Sequence, residues 1–349
     1  MTSTVALATV GREHGWRRLL PALALFLFVP AIPQLRAVVP VEQTLALLVP
    51  AMAACAWLGW RHGGRLWFAI GWTAIAVWVL TRPMAGGPEY VAFARGWAIL
   101  LSAAFGAVGI ATTSRAFFGR ALGTVALAAA VCALLIASSG ARAVRLERAI
   151  ATELSDRVET SIAQQRPQAG DPDWEDLQRN RPALAKKLSE WVDAGAAQMR
   201  AASSGAAPVF PAVLAFESII ALGLAWSLYH RLARTRLGPP MGMLRDFRFD
   251  DQLVWGVIAA ALFYLVPRFV ALRGVGLNLL TFFGVLYGIR GLGVLTWLLI
   301  APGRWLGVAA IGLVCLLPML WWIPLGLGLG DTWFDLRRRA RPSNQENAQ

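Results

Sequence analysis

The chain has 349 residues, 57% of them apolar and only 15% charged, with a mean hydropathy of +0.55. Soluble domains are about a quarter charged, so this composition excludes an ordinary soluble protein. The net charge of +13 does not point to nucleic acid: most of the cations are arginines in short loops between apolar runs, with no basic stripe interleaved with aromatics. The expected partner is the lipid bilayer.

Nine apolar segments follow in chain order, at about 17–35, 43–60, 66–82, 93–113, 119–140, 209–229, 252–273, 276–300 and 304–329. Most are long enough for a helix to cross ~30 Å of hydrocarbon. The first is flanked by Arg17 and Arg18 like a signal peptide, but Pro30 and Pro33 stand where a cleavage site belongs, so a retained segment is expected. Trp57, Trp60, Trp67, Trp72, Trp305, Trp321, Trp322 and Trp333 mostly sit near segment ends, where indole rings favour the membrane interface.

Loop arginines set the orientation. With the N-terminus cytoplasmic, the inner side receives Arg12, Arg17, Arg18, Arg61, Arg65, Arg115, Arg120, Arg231, Arg234, Arg236, Arg245, Arg248 and Arg304. The outer short loops receive Arg36, Arg82, Arg95, Arg268 and Arg273. That bias predicts a cytoplasmic N-terminus. Nine crossings would then put Arg337, Arg338, Arg339 and Arg341 outside, against the same rule. The count therefore stays at eight to ten, with 304–329 folding back around Pro318 and Pro324 as one solution.

One long polar region, 141–208, interrupts the pattern. It carries ten basic and ten acidic residues. Ile150, Leu154, Val158 and Ile162 recur every four positions and mark one face of a helix. After a break at 166–173, Leu184, Leu188, Trp191 and Val192 repeat the pattern. Two amphipathic helices in a hairpin are expected, on the outer face by loop parity, with their stripes packed on the bundle or on each other. The alternative for these stripes is a membrane-surface or partner-binding face.

The fold class is therefore an all-α polytopic transmembrane helix bundle of eight to ten membrane segments with an extramembrane helical hairpin. Residues 1–140 form an N-terminal bundle, 141–208 the hairpin, 209–336 the C-terminal segments, and 337–349 a basic, then polar tail expected to be disordered. Ala126, Ala130, Ala133 and Ala137 make a small-residue face in the fifth segment, expected to pack within the bundle or to dock another subunit.

No phosphate-binding loop, dinucleotide fingerprint, metal-ligand cluster or nucleophile elbow is present. The three histidines, His14, His62 and His230, fall at segment ends or in the N-terminal tail and read as solvated. Cys55, Cys132 and Cys315 fall inside apolar runs and read as small hydrophobes. The chain is read as not an enzyme, with no cofactor and no metal.

What remains are ionisable residues at membrane depth, which are costly and therefore paired or functional. Glu217 lies within the sixth segment and Arg290 near the middle of the eighth. A structural pair between them and a ligand-facing cavity are the two readings. Asn278, Tyr264 and Tyr287 are the further ligand-binding candidates. Asp250 and Asp251 open the seventh segment as helix caps. Asp331 and Asp335 are expected to pair with Arg337 or Arg338.

Several ordered pieces carry a resemblance: Trp60-Arg-His-Gly63, Phe249-Asp-Asp251 with Leu253-Val-Trp255, Gly276-Leu-Asn-Leu-Leu280, Leu286-Tyr-Gly-Ile-Arg-Gly-Leu292 and Leu327-Gly-Leu-Gly-Asp-Thr-Trp-Phe-Asp-Leu-Arg337. With these the chain resembles the YybS-like family of uncharacterised bacterial multi-pass membrane proteins. Its first half is distantly similar to substrate-binding membrane subunits of energy-coupling-factor transporters. That likeness implies the inner membrane of a bacterium, solute capture and other transporter subunits as partners. The competing reading is a membrane scaffold or assembly factor that recruits a partner through 141–208.

Overall fold

The computed structural model describes residues 15–36, 38–112, 116–138, 140–166, 171–239, 241–242, 244–299 and 322–339. Every regular element among them is helical, and the chain divides into two units, Met1–Pro240 and Met241–Gln349. The first unit holds α1 (Trp16–Phe28), α2 (Leu45–Arg61), α3 (Leu66–Thr81), α4 (Pro88–Ala111), α5 (Phe117–Ala137), α6 (Gly140–Gln165), α7 (Pro172–Asn180), α8 (Pro182–Ala206) and α9 (Phe210–Leu232). The second holds α10 (Val254–Leu265), α11 (Arg273–Leu299) and α12 (Trp322–Phe334). The α9 helix thus belongs to the first unit, whereas its sequence position had grouped it with the C-terminal segments.

Four helical stretches are long and apolar enough to cross a bilayer: Pro88–Ala111, Phe117–Ala137, Pro182–Leu232 and Pro267–Trp297. Four shorter apolar stretches accompany them, at Leu19–Ala31, Leu45–Arg61, Leu66–Thr81 and Asp251–Leu265. Residues 304–321 of the ninth expected segment lie outside the described residues, and with them Trp305, Trp321 and Cys315. The apolar helices expose large side chains such as Trp67, Ile75 and Trp78 on α3, or Leu134 and Leu135 on α5. In water such faces would be a liability; against lipid they are the expected surface.

Packing in the first unit follows a simple rule of direction. Val41, just before α2, touches Glu217 near the start of α9, while Gly59 at the end of α2 touches Tyr229 near the end of α9. Tyr90 at the start of α4 meets Phe210 at the start of α9, and Gly109 near its end meets Leu58. Helices α2, α4 and α9 therefore run parallel, and their N-terminal ends gather at one end of the unit. The connecting α3 and α5 run the other way: Trp57 reaches Thr73 of α3, and Phe117 opens α5 against Trp226. Leu47, Met52, Leu101, Phe105, Leu222, Trp226 and Tyr229 form the buried core.

The α6 stripe is buried as its spacing predicts: Leu154, Val158 and Ile162 are nearly solvent-free. Val158 and Ile162 pack on Ala196 and Met199 of α8. The ion pairs Glu159–Arg200 and Arg166–Asp193 fix an antiparallel register between α6 and α8. The α7 helix starts where Asp171 accepts from the Asp173 amide at 3.0 Å, with Pro172 at the first helical position.

Two expectations about faces are corrected. On α8, Leu184, Leu188 and Trp191 stay exposed, Trp191 by 73%, and the helix packs through Ala185, Ala196, Met199 and Ser203 instead. Small side chains let α8 approach its neighbours closely, so the bulky positions turn outward. On α5, Ala126, Ala130, Ala133 and Ala137 are exposed, and the buried face is Phe117, Arg120, Ala121, Thr124, Val125 and Ala128. Arg120 explains that rotation: its guanidinium donates to the Leu237 carbonyl at 2.9 Å and lies over the Trp226 ring, which anchors the helix by its first turn.

His230 is also not a solvated end residue. The Leu237 amide donates to its Nε2 at 3.2 Å, which leaves Nδ1 to donate to the Trp226 carbonyl at 2.8 Å. The ring is thus held as one neutral tautomer bridging two backbone groups.

Candidate functional site

The end of the first unit where α2, α4 and α9 begin carries a buried polar network. Its centre is Arg157 on α6. Arg157 Nε donates to Glu153 at 2.8 Å and lies 3.5 Å from Glu42, and its Nη1 donates to the Val39 carbonyl at 3.0 Å. Arg36 closes a second ion pair on Glu42. The Arg157 guanidinium stacks 4.9 Å from the Tyr90 ring centroid. Burial works against its charge, but Tyr90, Glu153 and Glu42 outweigh that and raise its pKa above the ordinary arginine value.

Helical geometry explains why these charges are buried. Glu153, Arg157 and Ser161 follow one another at four-residue intervals, directly beside the Leu154, Val158 and Ile162 stripe, so the face that packs carries both. The chain at Gly86–Gly87 is shaped around Glu153. The Gly87 amide donates to Glu153 at 3.0 Å, and Gly86 has φ +114° with the carboxylate 2.8 Å from where a Cβ would stand. Only glycine accepts both conditions.

Glu217 sits beneath this network. It is buried on α9 and accepts from the Val41 amide at 2.9 Å through one oxygen, while the other has no partner. Its neighbour Ser218 accepts from the Trp97 indole at 2.9 Å. The Tyr90 hydroxyl and the Arg157 guanidinium, both buried, interact with each other. An unpartnered oxygen such as that of Glu217 costs free energy unless something completes it. Tyr90 and Glu153 also line an open cleft of ≈ 460 Å³, together with Gly87, Arg145, Arg148 and Thr152. Arg36 and Arg157 thus face three carboxyl groups, those of Glu42, Glu153 and Glu217.

The second unit holds a different polar centre. Arg290 on α11 donates from Nε to Asp331 on α12 at 3.0 Å and from Nη1 to Asp251 at 2.6 Å. Asp331 is fully enclosed and Asp251 is 61% exposed, so Asp331 is the main counter-charge. These two aspartates are the partners of Arg290 within the second unit. Arg337 joins them, 3.9 Å from Asp331 and donating to the carbonyls of Arg290 and Phe247. Arg248 pairs with Asp335 at 2.7 Å. The α11–α12 crossing is tight because it runs through glycines: a Cβ on Gly291 or on Gly328 would collide with the other helix's backbone.

The remaining expected site residues disperse. Tyr287 lies one turn before Arg290, edge-on to Phe249, whose ring also sits under the Arg290 guanidinium. Asn278 Nδ2 donates to the Gly274 carbonyl of its own helix, and Tyr264 lies under Arg273. Neither meets Arg290 among the described contacts. Asp250 caps the start of the seventh segment by accepting from the Gln252 amide at 3.0 Å, whereas Asp251 serves Arg290. Among the described residues no group of three or more His, Cys, Asp or Glu side chains could hold a metal ion.

Residues 184–332 match the model of a family described as predicted membrane protein (DUF2232). Together with the apolar helices, that match makes this a membrane protein. The match runs from α8 to α12 and includes Glu217, Asp251, Arg290 and Asp331, but stops short of Arg337 and excludes Tyr90, Glu153 and Arg157. No curated protein and no solved structure matches the chain.

Proposed function

We propose that the chain is a multi-pass protein of the bacterial inner membrane that captures a small polar solute at the Tyr90–Arg157–Glu217 network, as a transporter-like binding subunit and not as an enzyme. The observation that carries this reading is the buried Glu217 carboxyl, one oxygen of which has no hydrogen-bond partner, in a network whose Tyr90 and Glu153 line an open cleft. An unmatched carboxylate oxygen alone does not mark a site, since Asp331 Oδ1 in the Arg290 centre has no partner either; the cleft beside Tyr90 and Glu153 is what sets this network apart.

The orientation argument agrees with it. With a cytoplasmic N-terminus and eight to ten crossings, the starts of α2, α4 and α9 and the α6–α8 hairpin all fall on the outer side. Arg61, Arg65, Arg120, Arg231, Arg234 and Arg236 then fall at the opposite, cytoplasmic end. The distant likeness of the first half to energy-coupling-factor binding subunits implies the same role. Purification in mild detergent followed by small-molecule mass spectrometry tests the reading: a stoichiometric polar solute is expected. A protein that arrives with no solute contradicts it.

A second reading has its own observation. The exposed Leu184, Leu188 and Trp191 stripe on α8 suits a membrane scaffold that recruits a partner through the hairpin. If that reading holds, Trp191→Ala removes a co-purifying protein and leaves any bound solute unchanged.

A further inference from the structure

We infer that the groove between α2 and α4, at the end of the first unit away from the Arg157 network, binds one anionic glycerophospholipid. An acyl chain lies in the groove and the phosphate meets Arg61. This lipid site is separate from solute capture and does not depend on it.

The groove follows from side-chain spacing on two parallel helices. Ala54, Trp57 and Arg61 share one face of α2, and Ser102, Gly106 and Ile110 share one face of α4; between them lies a cavity of ≈ 290 Å³. Seven positions of helix separate Ala54 from Arg61, so the groove is about 10 Å deep. Two glycines shape it. A Cβ on Gly109 would collide with Leu58, so α4 closes on α2 there, whereas a Cβ on Gly106 would meet nothing within 4 Å and the notch stays open. The indole wall is held in place: Trp57 Nε1 donates to Thr73 at 2.8 Å, and the Trp57 ring meets Trp60 edge-on at 5.3 Å. The Ser102 hydroxyl already donates to the Ala98 carbonyl at 2.8 Å. Below its mouth the groove therefore offers no free side-chain donor, and a hydrocarbon chain is the occupant that suits it.

Charge selects the headgroup. No Asp or Glu occurs in 43–88, 90–146 or 218–245, so the end where α2, α4 and α9 finish has cations without carboxylates from these stretches. Gly64, in the turn after Arg61, lies against Thr235, which sets Arg234 and Arg236 beside Arg61 and Arg65. Arg61, Arg65 and Arg234 form no ion pair among the described residues. Three helix C-termini and the N-termini of α3 and α5 meet here, so their dipoles largely cancel and the arginines leave a net positive charge. A headgroup of net negative charge answers it; a zwitterionic one brings a cation that offsets its own phosphate. Trp57 and Trp60 stay exposed beside Arg61, the arrangement that sits at headgroup level. A free anion would meet the arginine and leave the groove empty. A partner helix, about 10 Å across, would rest over the notch without entering it.

The test uses the full-length protein in phosphatidylcholine nanodiscs with a trace of phosphatidylglycerol carrying a diazirine on its acyl chain. After illumination, peptide mass spectrometry maps the cross-links. They are expected in 54–61 and 102–110, well above the level at Trp67, Ile75 and Trp78, an exposed apolar face of α3. Replacing the bulk lipid with unlabelled phosphatidylglycerol should abolish this labelling, and inorganic phosphate should not change it.

Two variants separate headgroup from chain. Arg61→Gln removes one exposed cation and should lower the cross-linking yield about fivefold. Gly106→Leu places a side chain in the notch where a Cβ meets nothing, and should abolish labelling of both segments with the thermal midpoint unchanged. Cross-links spread evenly over the exposed faces, or undiminished in both variants, would mean boundary lipid only and overturn the inference. Displacement of the probe by inorganic phosphate alone overturns it in favour of a free anion. Protection of both segments by a co-purifying protein overturns it in favour of a partner helix.

Discussion

Two buried arginines organise the two units, and they are built alike up to a point. Arg157 and Arg290 each sit between two carboxylates, one enclosed and one nearer solvent: Glu153 and Glu42 for the first, Asp331 and Asp251 for the second. Each also carries an aromatic ring under its guanidinium. The difference lies in what surrounds them. Around Arg290, Arg337 and Arg290 face Asp331 and Asp251 in equal number, and two helices cross through glycine so tightly that little room is left. Around Arg157 a third carboxyl group, that of Glu217, is present, and a cleft opens alongside. A balanced network in a close-packed crossing fixes helix register. One that opens on a cleft is the site we propose.

The comparison can be broken first at Arg290. Arg290→Leu strands Asp331 without its main counter-charge and should cost about 3–5 kcal/mol in unfolding experiments. Arg290→Leu with Asp331→Leu should recover most of that loss, because both buried charges leave together. Equal losses in the single and double variants would remove the register role. Next in size comes Gly86→Ala, which forces a side chain into a positive-φ position against Glu153. It should cost about 1–3 kcal/mol, seen as a lower thermal midpoint together with weaker solute binding. The matching substitution at Gly106, which has open space around it, should do neither.

Glu217→Gln sharpens the contrast from the other side. The amide keeps an acceptor for the Val41 amide and nearly the same shape, so stability should change by no more than about 1 kcal/mol. A large loss of stability would mean Glu217 is structural like Asp331. The smallest effect belongs to the exposed α6–α8 pair. Hydrogen bonds from Arg200, opposed by slight desolvation, hold the Glu159 carboxyl below its ordinary value. A depressed carboxyl contributes stability above its unfolded pKa and loses it as pH falls through the folded one. The wild-type thermal midpoint should therefore fall slightly more than that of Arg200→Gln on acidification below the ordinary glutamate range. Identical pH profiles would show that this pair contributes nothing.

The membrane character was legible because run length alone decides it, and Glu217 and Arg290 stood out because a charge inside an apolar run is conspicuous. Their partners were not legible. Asp331 lies far along the chain, where its neighbours Arg337 and Arg338 are the partners the sequence suggests, and the Gly291–Gly328 crossing brings it to Arg290. Arg157 was hidden among the many charges of 141–208. The available signal was its spacing: Glu153, Arg157 and Ser161 run one position behind the residues Leu154, Val158 and Ile162, so the helix that buries one row buries the other. The α8 stripe misled for the converse reason. Leu184, Leu188 and Trp191 were chosen by size, whereas close helix packing selected Ala185, Ala196 and Ser203. His230 gave no local sign of its role, because both its partners are backbone groups set by the return of the chain at Leu237.

The most direct test sets the two centres against each other in one measurement: solute occupancy by native mass spectrometry of the wild type, Glu217→Gln, and Arg290→Leu with Asp331→Leu. The wild type and the Arg290–Asp331 double variant should both carry the solute mass, and Glu217→Gln should lose it. Occupancy that survives in Glu217→Gln and vanishes in the Arg290–Asp331 variant would contradict the account by reversing which arginine centre binds.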